Sequence, residues 1–106
     1  MPLIIDTHTH IFQDAVIADK SRFFSNEPEF RLLYESPRSK LISPEELIIV
    51  MDEHKVDISV ICGFPWRSPE LAVENNNAVI EAVKKWPDRF KGLACFDLNW
   101  EGAADE

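Results

Sequence analysis

Leu3-Ile4-Ile5-Asp6-Thr7-His8-Thr9-His10 decides how this chain is read. An apolar, β-branched run leads straight into two histidines spaced two apart, the pattern of a buried strand with a polar tip. Side chains along a strand alternate between its faces, so Asp6, His8 and His10 are expected on one side and Thr7 and Thr9 on the other. Two imidazoles on one face of one strand end can share a single metal ion. A carboxylate on that face, Asp6, can hold a ligand histidine in one tautomer or bridge to the ion itself. His-x-His alone is weakly specific; the strand that precedes it gives it meaning.

The chain beyond this strand alternates in kind. Ser43-Pro44-Glu45-Glu46 is a capping box with proline at the first helical position, opening a helix over 44–55. Leu47, Val50, Met51 and His54 fall on one stripe of it. Residues 56–63 (VDISVICG) read as a second strand, bounded by Gly63-Phe64-Pro65. Ser68-Pro69-Glu70 offers another helix start. That helix is expected to become regular from Asn75–Asn77 onward, with Val79, Ile80, Val83 and Trp86 as its apolar stripe and Pro87 as its end. Residues 90–97 (FKGLACFD) read as a third strand. Strand and helix in alternation imply an α/β fold with parallel strands and right-handed crossovers.

The connection at about 12–42 is far longer than the usual few residues. It carries Phe12, Phe23, Phe24, Phe30 and Tyr34 with Arg22, Arg31 and Arg38, and a short helix is expected around 29–34. Its aromatic content sets it apart from disordered segments. Two roles stay open: packing onto the body, and serving as a lid over a binding site.

Bulk properties narrow the function classes. A chain of 106 residues suits one small domain, and 45% apolar with 28% charged residues is an ordinary soluble mixture. A formal net charge of −8 argues against nucleic acid as a partner, because phosphate contacts need a basic surface. Glu101, Asp105 and Glu106 contribute to that excess and read as a solvated end. No run approaches the ~20 apolar residues of a membrane span, and no secretory signal is expected. Cys62 and Cys95 lie in apolar runs and read first as buried, reduced thiols, with a disulfide or metal role as the minor alternative; a cytoplasmic setting is expected.

Ile5-Asp6-Thr7-His8-Thr9-His10 resembles the opening metal motif of the amidohydrolase superfamily. Ser43–Asp52 (SPEELIIVMD), Val56–Gly63, and Asn76–Phe90 ending in Trp-Pro-Asp-Arg-Phe before Lys91-Gly92-Leu93-Ala94 look like its family 2 branch, which includes aminocarboxymuconate-semialdehyde decarboxylase-like enzymes. The resemblance implies a (β/α)8 barrel with its active site at the carboxyl ends of the strands. It implies His8 and His10 as ligands of a divalent metal, zinc by expectation, with Asp6 beside them. A further histidine, an aspartate and the general base are expected beyond Glu106. A complete barrel takes ~250 residues, so the chain reads as its first three strands and two helices, an apparently truncated single domain over 1–106. The implied activity is hydrolysis of a small substrate by metal-activated water, and the arginines of the long connection are a weak hint of a carboxylate on that substrate. Decarboxylation on the same scaffold, or a non-catalytic fragment or binding module, are the alternatives; homo-oligomerisation stays open.

Other polar residues are placed by the same frame. Trp66 and Arg67 follow the second strand on the mouth side, where Trp66 is a candidate pocket wall and Arg67 a candidate anchor for an anionic group. Each has a plainer reading, as a packed indole and a solvated charge. Asp97 and Asn99 either line the mouth or cap the next turn. His54 sits at the far end, at a helix C-terminus, where it favours the helix dipole. Lys55 stands where relatives often place glycine; a left-handed backbone there costs about 1 kcal/mol.

Overall fold

A computed structural model describes residues 2–106. Its centre is a parallel three-stranded sheet in the order β1 (Ile5–His10), β2 (Ile58–Cys62), β3 (Phe90–Gly92). Four helices join or flank these strands: α1 (Asp14–Ala18), α2 (Pro28–Tyr34), α3 (Pro44–His54) and α4 (Pro69–Lys85). Short 3-10 turns lie at Lys20–Phe23 and Ala103–Asp105. Among the described residues, no helix is long and apolar enough to cross a membrane.

The crossover helices are started by the expected chemistry. Ser43 Oγ accepts the Glu46 backbone N–H at 3.2 Å, and Ser68 Oγ accepts that of Leu71 at 3.3 Å, each with proline in the first turn. α4 is regular from Pro69 rather than from Asn75, because the Ser68 cap and Pro69 already specify its first turn. Trp86 lies just past its end. α3 closes in a Schellman arrangement: Val56 N–H reaches the Met51 carbonyl at 2.9 Å and Lys55 N–H that of Asp52 at 3.4 Å. This places Lys55 at φ 57°, left-handed as expected.

Both crossover helices cover the same face of the sheet. Leu47 and Met51 of α3, Val79 and Ala82 of α4, and Ile61 and Phe90 of the strands form one buried cluster with Ile11. Val50 and Ile80, expected on apolar stripes, are turned toward solvent. The opposite face is open. Ile5 is 46% and Leu93 57% exposed, so β1 is not the buried strand its apolar start suggests. It is an edge strand, paired along one side only among the described residues.

All three strands are shorter than their apolar runs, β1 beginning at Ile5 rather than Leu3. β2 begins at Ile58 instead of Val56, since Val56 belongs to the turn that closes α3. β3 ends at Gly92 instead of Asp97. Past Leu93, the buried Asn76 side chain takes the place of a neighbouring strand: its Oδ1 accepts the Cys95 N–H at 3.0 Å and its Nδ2 donates to the Cys95 carbonyl at 3.1 Å.

The Pro-Asp-Arg-Phe stretch is a staple at the amino ends of the strands. Arg89 Nε donates to the Asp57 carbonyl at 2.9 Å, Nη2 to the Val56 carbonyl at 3.0 Å, and Nη1 meets Asp52 Oδ1 at 2.8 Å. One guanidinium thus ties the end of α3 and the start of β2 to the start of β3.

The long connection is folded. Phe12, Phe30, Phe64 and Trp66 are buried together, with Phe24 and Tyr34 against them, in a second cluster that seats α2 on the residues following β1 and β2. Lys20 Nζ donates to the carbonyls of Ser36 and Ser39 at 2.9 and 2.7 Å and closes the segment on itself.

Candidate metal centre at the carboxyl end of the sheet

The two histidines converge because β1 is irregular. Ile5 pairs with Ile58 and Asp6 with Ser59, yet Thr9 pairs with Ile61 and His10 with Cys62. Three steps on β1 therefore match two on β2, which is the signature of a bulge. The extra residue resets the alternation. Ser59 and Ile61 face the helices and are buried, so their partners Asp6 and Thr9 fall on the helix side of the register, while His10 falls with Cys62 on the open face. His8 lies with His10: their Nε2 atoms are 3.0 Å apart and their ring centroids 4.9 Å apart. The expected trio of Asp6, His8 and His10 on one side is thereby corrected to a pair. Asp6 Oδ1 accepts the backbone N–H of His8 at 3.1 Å. It braces the bulge rather than an imidazole, a local side-chain-to-backbone bond of the kind Asp makes at turns.

A backbone carbonyl does what was expected of the carboxylate. His10 Nδ1 lies 2.8 Å from the Gly63 carbonyl oxygen. That oxygen can only accept, so Nδ1 carries the proton and Nε2 of the neutral ring presents its lone pair. This is the arrangement metal-ligating histidines adopt. With no ion, His8 Nε2–H can donate to that lone pair; with one, both Nε2 atoms can bind it. Two nitrogens about 2.05 Å from a common ion and 3.0 Å from each other subtend roughly 95° at it. The pair is close enough to share one ion, with a tetrahedral arrangement asking for about 3.3 Å between the two nitrogens.

Gly63 is held in turn by Asn75 of α4. A Cβ on Gly63 would lie 2.5 Å from Asn75 Cγ, so only glycine fits there. Asn75 is fully buried. Its Oδ1 accepts the Phe64 N–H at 3.1 Å and Trp66 Nε1–H at 2.9 Å, and its Nδ2 donates to the Ile11 carbonyl at 3.0 Å. One amide thus joins the chain leaving β1 to the chain leaving β2. Reading the chain for strands and loops missed this residue. The available signal was the buried face Ala72, Asn75, Asn76, Val79, Ala82, whose helical spacing carries two polar side chains amid apolar ones.

Cys62, for which a metal role was only the minor alternative, stands beside the pair. One donor atom from each of His8, His10 and Cys62 lies within 4.8 Å of the other two. The thiol makes only long contacts, 3.6 Å to the Thr9 carbonyl and 3.6 Å to His10 Nδ1. Burial pushes its pKa up, so it holds its proton in the absence of an ion. Tyr34 stands nearby, its own pKa raised by burial and by Cys62.

The candidate substrate residues are otherwise engaged. Trp66 is 1% exposed, packed against Phe12, Phe30 and Phe64 and bonded to Asn75, so it is a core residue and not a pocket wall. Arg67 is exposed beside a cleft formed by Pro65, Phe96, Asp97, Leu98 and Asn99, but its guanidinium is taken by Glu29, with Nε 2.8 Å from Oε2. Asn99 N–H bonds Asp97 Oδ1 at 2.9 Å, the turn-capping alternative for that pair. His54 lies at the end of α3, away from the site.

Glu27 is the unanticipated buried acid, 2% exposed. Its carboxylate accepts the backbone N–H groups of Arg67 and Ser68, fastening the segment before α2 to the start of α4. Burial raises its pKa above the usual carboxylate value, against the lowering effect of those bonds.

Comparison of the chain with protein-family models and with curated proteins finds no match.

Proposed function

We propose that this chain is the N-terminal part of a metal-dependent hydrolase of the amidohydrolase type, its three strands being the first of a (β/α)8 barrel. The observation that carries the reading is the 3.0 Å approach of the His8 and His10 Nε2 atoms, with the His10 tautomer set by Gly63. Further support comes from location: the pair sits at the carboxyl ends of parallel strands whose helices lie on the opposite face, which is where barrel enzymes build their sites. The open, partly apolar face of the sheet is the face that closure to eight strands would cover. A divalent ion held there would supply Lewis acidity. The chain's own residues position it: Gly63 fixes the His10 ring, Asn75 fixes Gly63, and Asp6 braces the backbone of His8.

The substrate is a small molecule in this reading. Arg67 can take part only by leaving Glu29, so substrate carboxylate recognition falls to other groups. The test is metal analysis of the purified protein and of His8→Ala and His10→Ala. One equivalent of a divalent ion in the parent, lost in both variants, supports the reading. Equal metal content in all three would defeat it. In the full enzyme, product analysis with carboxylate-bearing amides and β-keto acids separates hydrolysis from decarboxylation.

A further inference from the structure

We propose that Cys62 supplies a third ligand from this chain to the ion held by His8 and His10, giving a two-imidazole, one-thiolate donor set. The inference rests on the histidine reading above and adds to it a donor that sequence reasoning set aside. Cys62 is the register partner of His10, so both side chains rise from adjacent strand ends on the same open face. One ring nitrogen from each histidine and the Cys62 Sγ lie within 4.8 Å of one another, with Sγ 3.6 Å from His10 Nδ1. Ligands of one tetrahedral ion with nitrogen and sulfur donors lie roughly 3.3–3.6 Å apart. The donors therefore have to draw together for one ion to bind all three. His10 is tethered, so the moving parts are the exposed His8 ring and the Cys62 χ1 torsion. The thiol has no strong hydrogen bond to give up, because its contacts to Thr9 and His10 are both 3.6 Å. Asp6, the nearest acid in sequence, falls on the other side of the register and bonds the His8 backbone.

The chemistry that follows differs from that of a site built of histidines and carboxylates alone. Binding replaces the Cys62 S–H bond with a sulfur–metal bond and releases one proton to solvent for each ion, with no change of oxidation state. A thiolate among the donors selects zinc, cobalt(II) or cadmium over magnesium, calcium or manganese.

Cobalt(II) titration of the whole chain, followed by absorbance, tests this. The parent is expected to bind one equivalent and to develop a near-ultraviolet thiolate-to-cobalt charge-transfer band. Cys62→Ser should lose that band and bind cobalt and zinc at least about tenfold more weakly. Cys95→Ser should keep both. Cys62→Ala, checked by circular dichroism, guards against a folding defect specific to serine. Cobalt binding without the band, unchanged in Cys62→Ser, overturns the thiolate ligand and leaves the histidine pair standing. A band that disappears with Cys95→Ser instead also overturns it. A folded parent that binds neither cobalt nor zinc overturns both readings.

Discussion

Replacing Gly63 with alanine should disable the scaffold of the site, and the size of the effect follows from contacts. The new Cβ would lie 2.5 Å from Asn75 Cγ, 2.6 Å from Oδ1 and 2.8 Å from Nδ2. Ordinary contact begins at 3.4 Å, so about 0.9 Å must be found. Asn75 cannot swing aside cheaply, because its amide is buried and holds Phe64, Trp66 and Ile11. Overpacking of this kind costs about 1–3 kcal/mol. A hydrogen bond broken in relieving it adds about 1–3 kcal/mol for the group left unpaired. Gly63→Ala is therefore expected to lose about 2–6 kcal/mol. The assay is urea unfolding of a double-mutant cycle with Asn75→Ala, which is destabilising alone because three partners lose their bonds. In the Asn75→Ala background the clash is gone, and Gly63→Ala should cost under about 0.5 kcal/mol. Equal costs in both backgrounds would refute the reasoning, since the penalty would then not come from Asn75.

Three further outcomes are expected. Glu27 has a folded pKa above its unfolded value, so its stability contribution is full below about pH 4.5 and is lost as pH rises through the folded pKa; Glu27→Gln should remove that part of the pH dependence of the urea midpoint, and an unchanged slope would count against it. Lys55→Gly should raise stability by up to about 1 kcal/mol by relieving the left-handed backbone, measured by thermal unfolding; a loss would show that the conformation is not strained. Arg89→Ala should cost about 1–3 kcal/mol, because two backbone carbonyls lose a charged donor, whereas Asp52→Ala, which removes only the exposed arm, should cost under about 1 kcal/mol.

The sequence was most legible where local chemistry acts alone. The Ser43 and Ser68 caps, the Lys55 turn and the strand–helix alternation are short-range features, and each appears in the fold. The His8–His10 pair was legible because alternation along two residues survives on either side of a bulge. Asp6 was misplaced because the bulge between it and Thr9 shifts the phase, and nothing in Asp-Thr-His-Thr-His announces an extra residue. Cys62, Gly63 and Asn75 were not legible as parts of the site, since register across two strands and the docking of α4 bring them there. Trp66 resembled a pocket residue by its position after β2; only the aromatic cluster built from the 12–42 segment shows it to be core.

Two imidazoles converging through Nε2 are what everything else here serves, and the ring nitrogens can be observed directly. Nitrogen-15 NMR of the histidine side chains before and after addition of zinc reports which atoms carry protons and which bind metal. Before zinc, the signals should show His10 protonated on Nδ1; on addition of one equivalent, the Nε2 resonances of His8 and His10 should move together. A proton found on His10 Nε2, or a response from only one of the two rings, would contradict the shared centre.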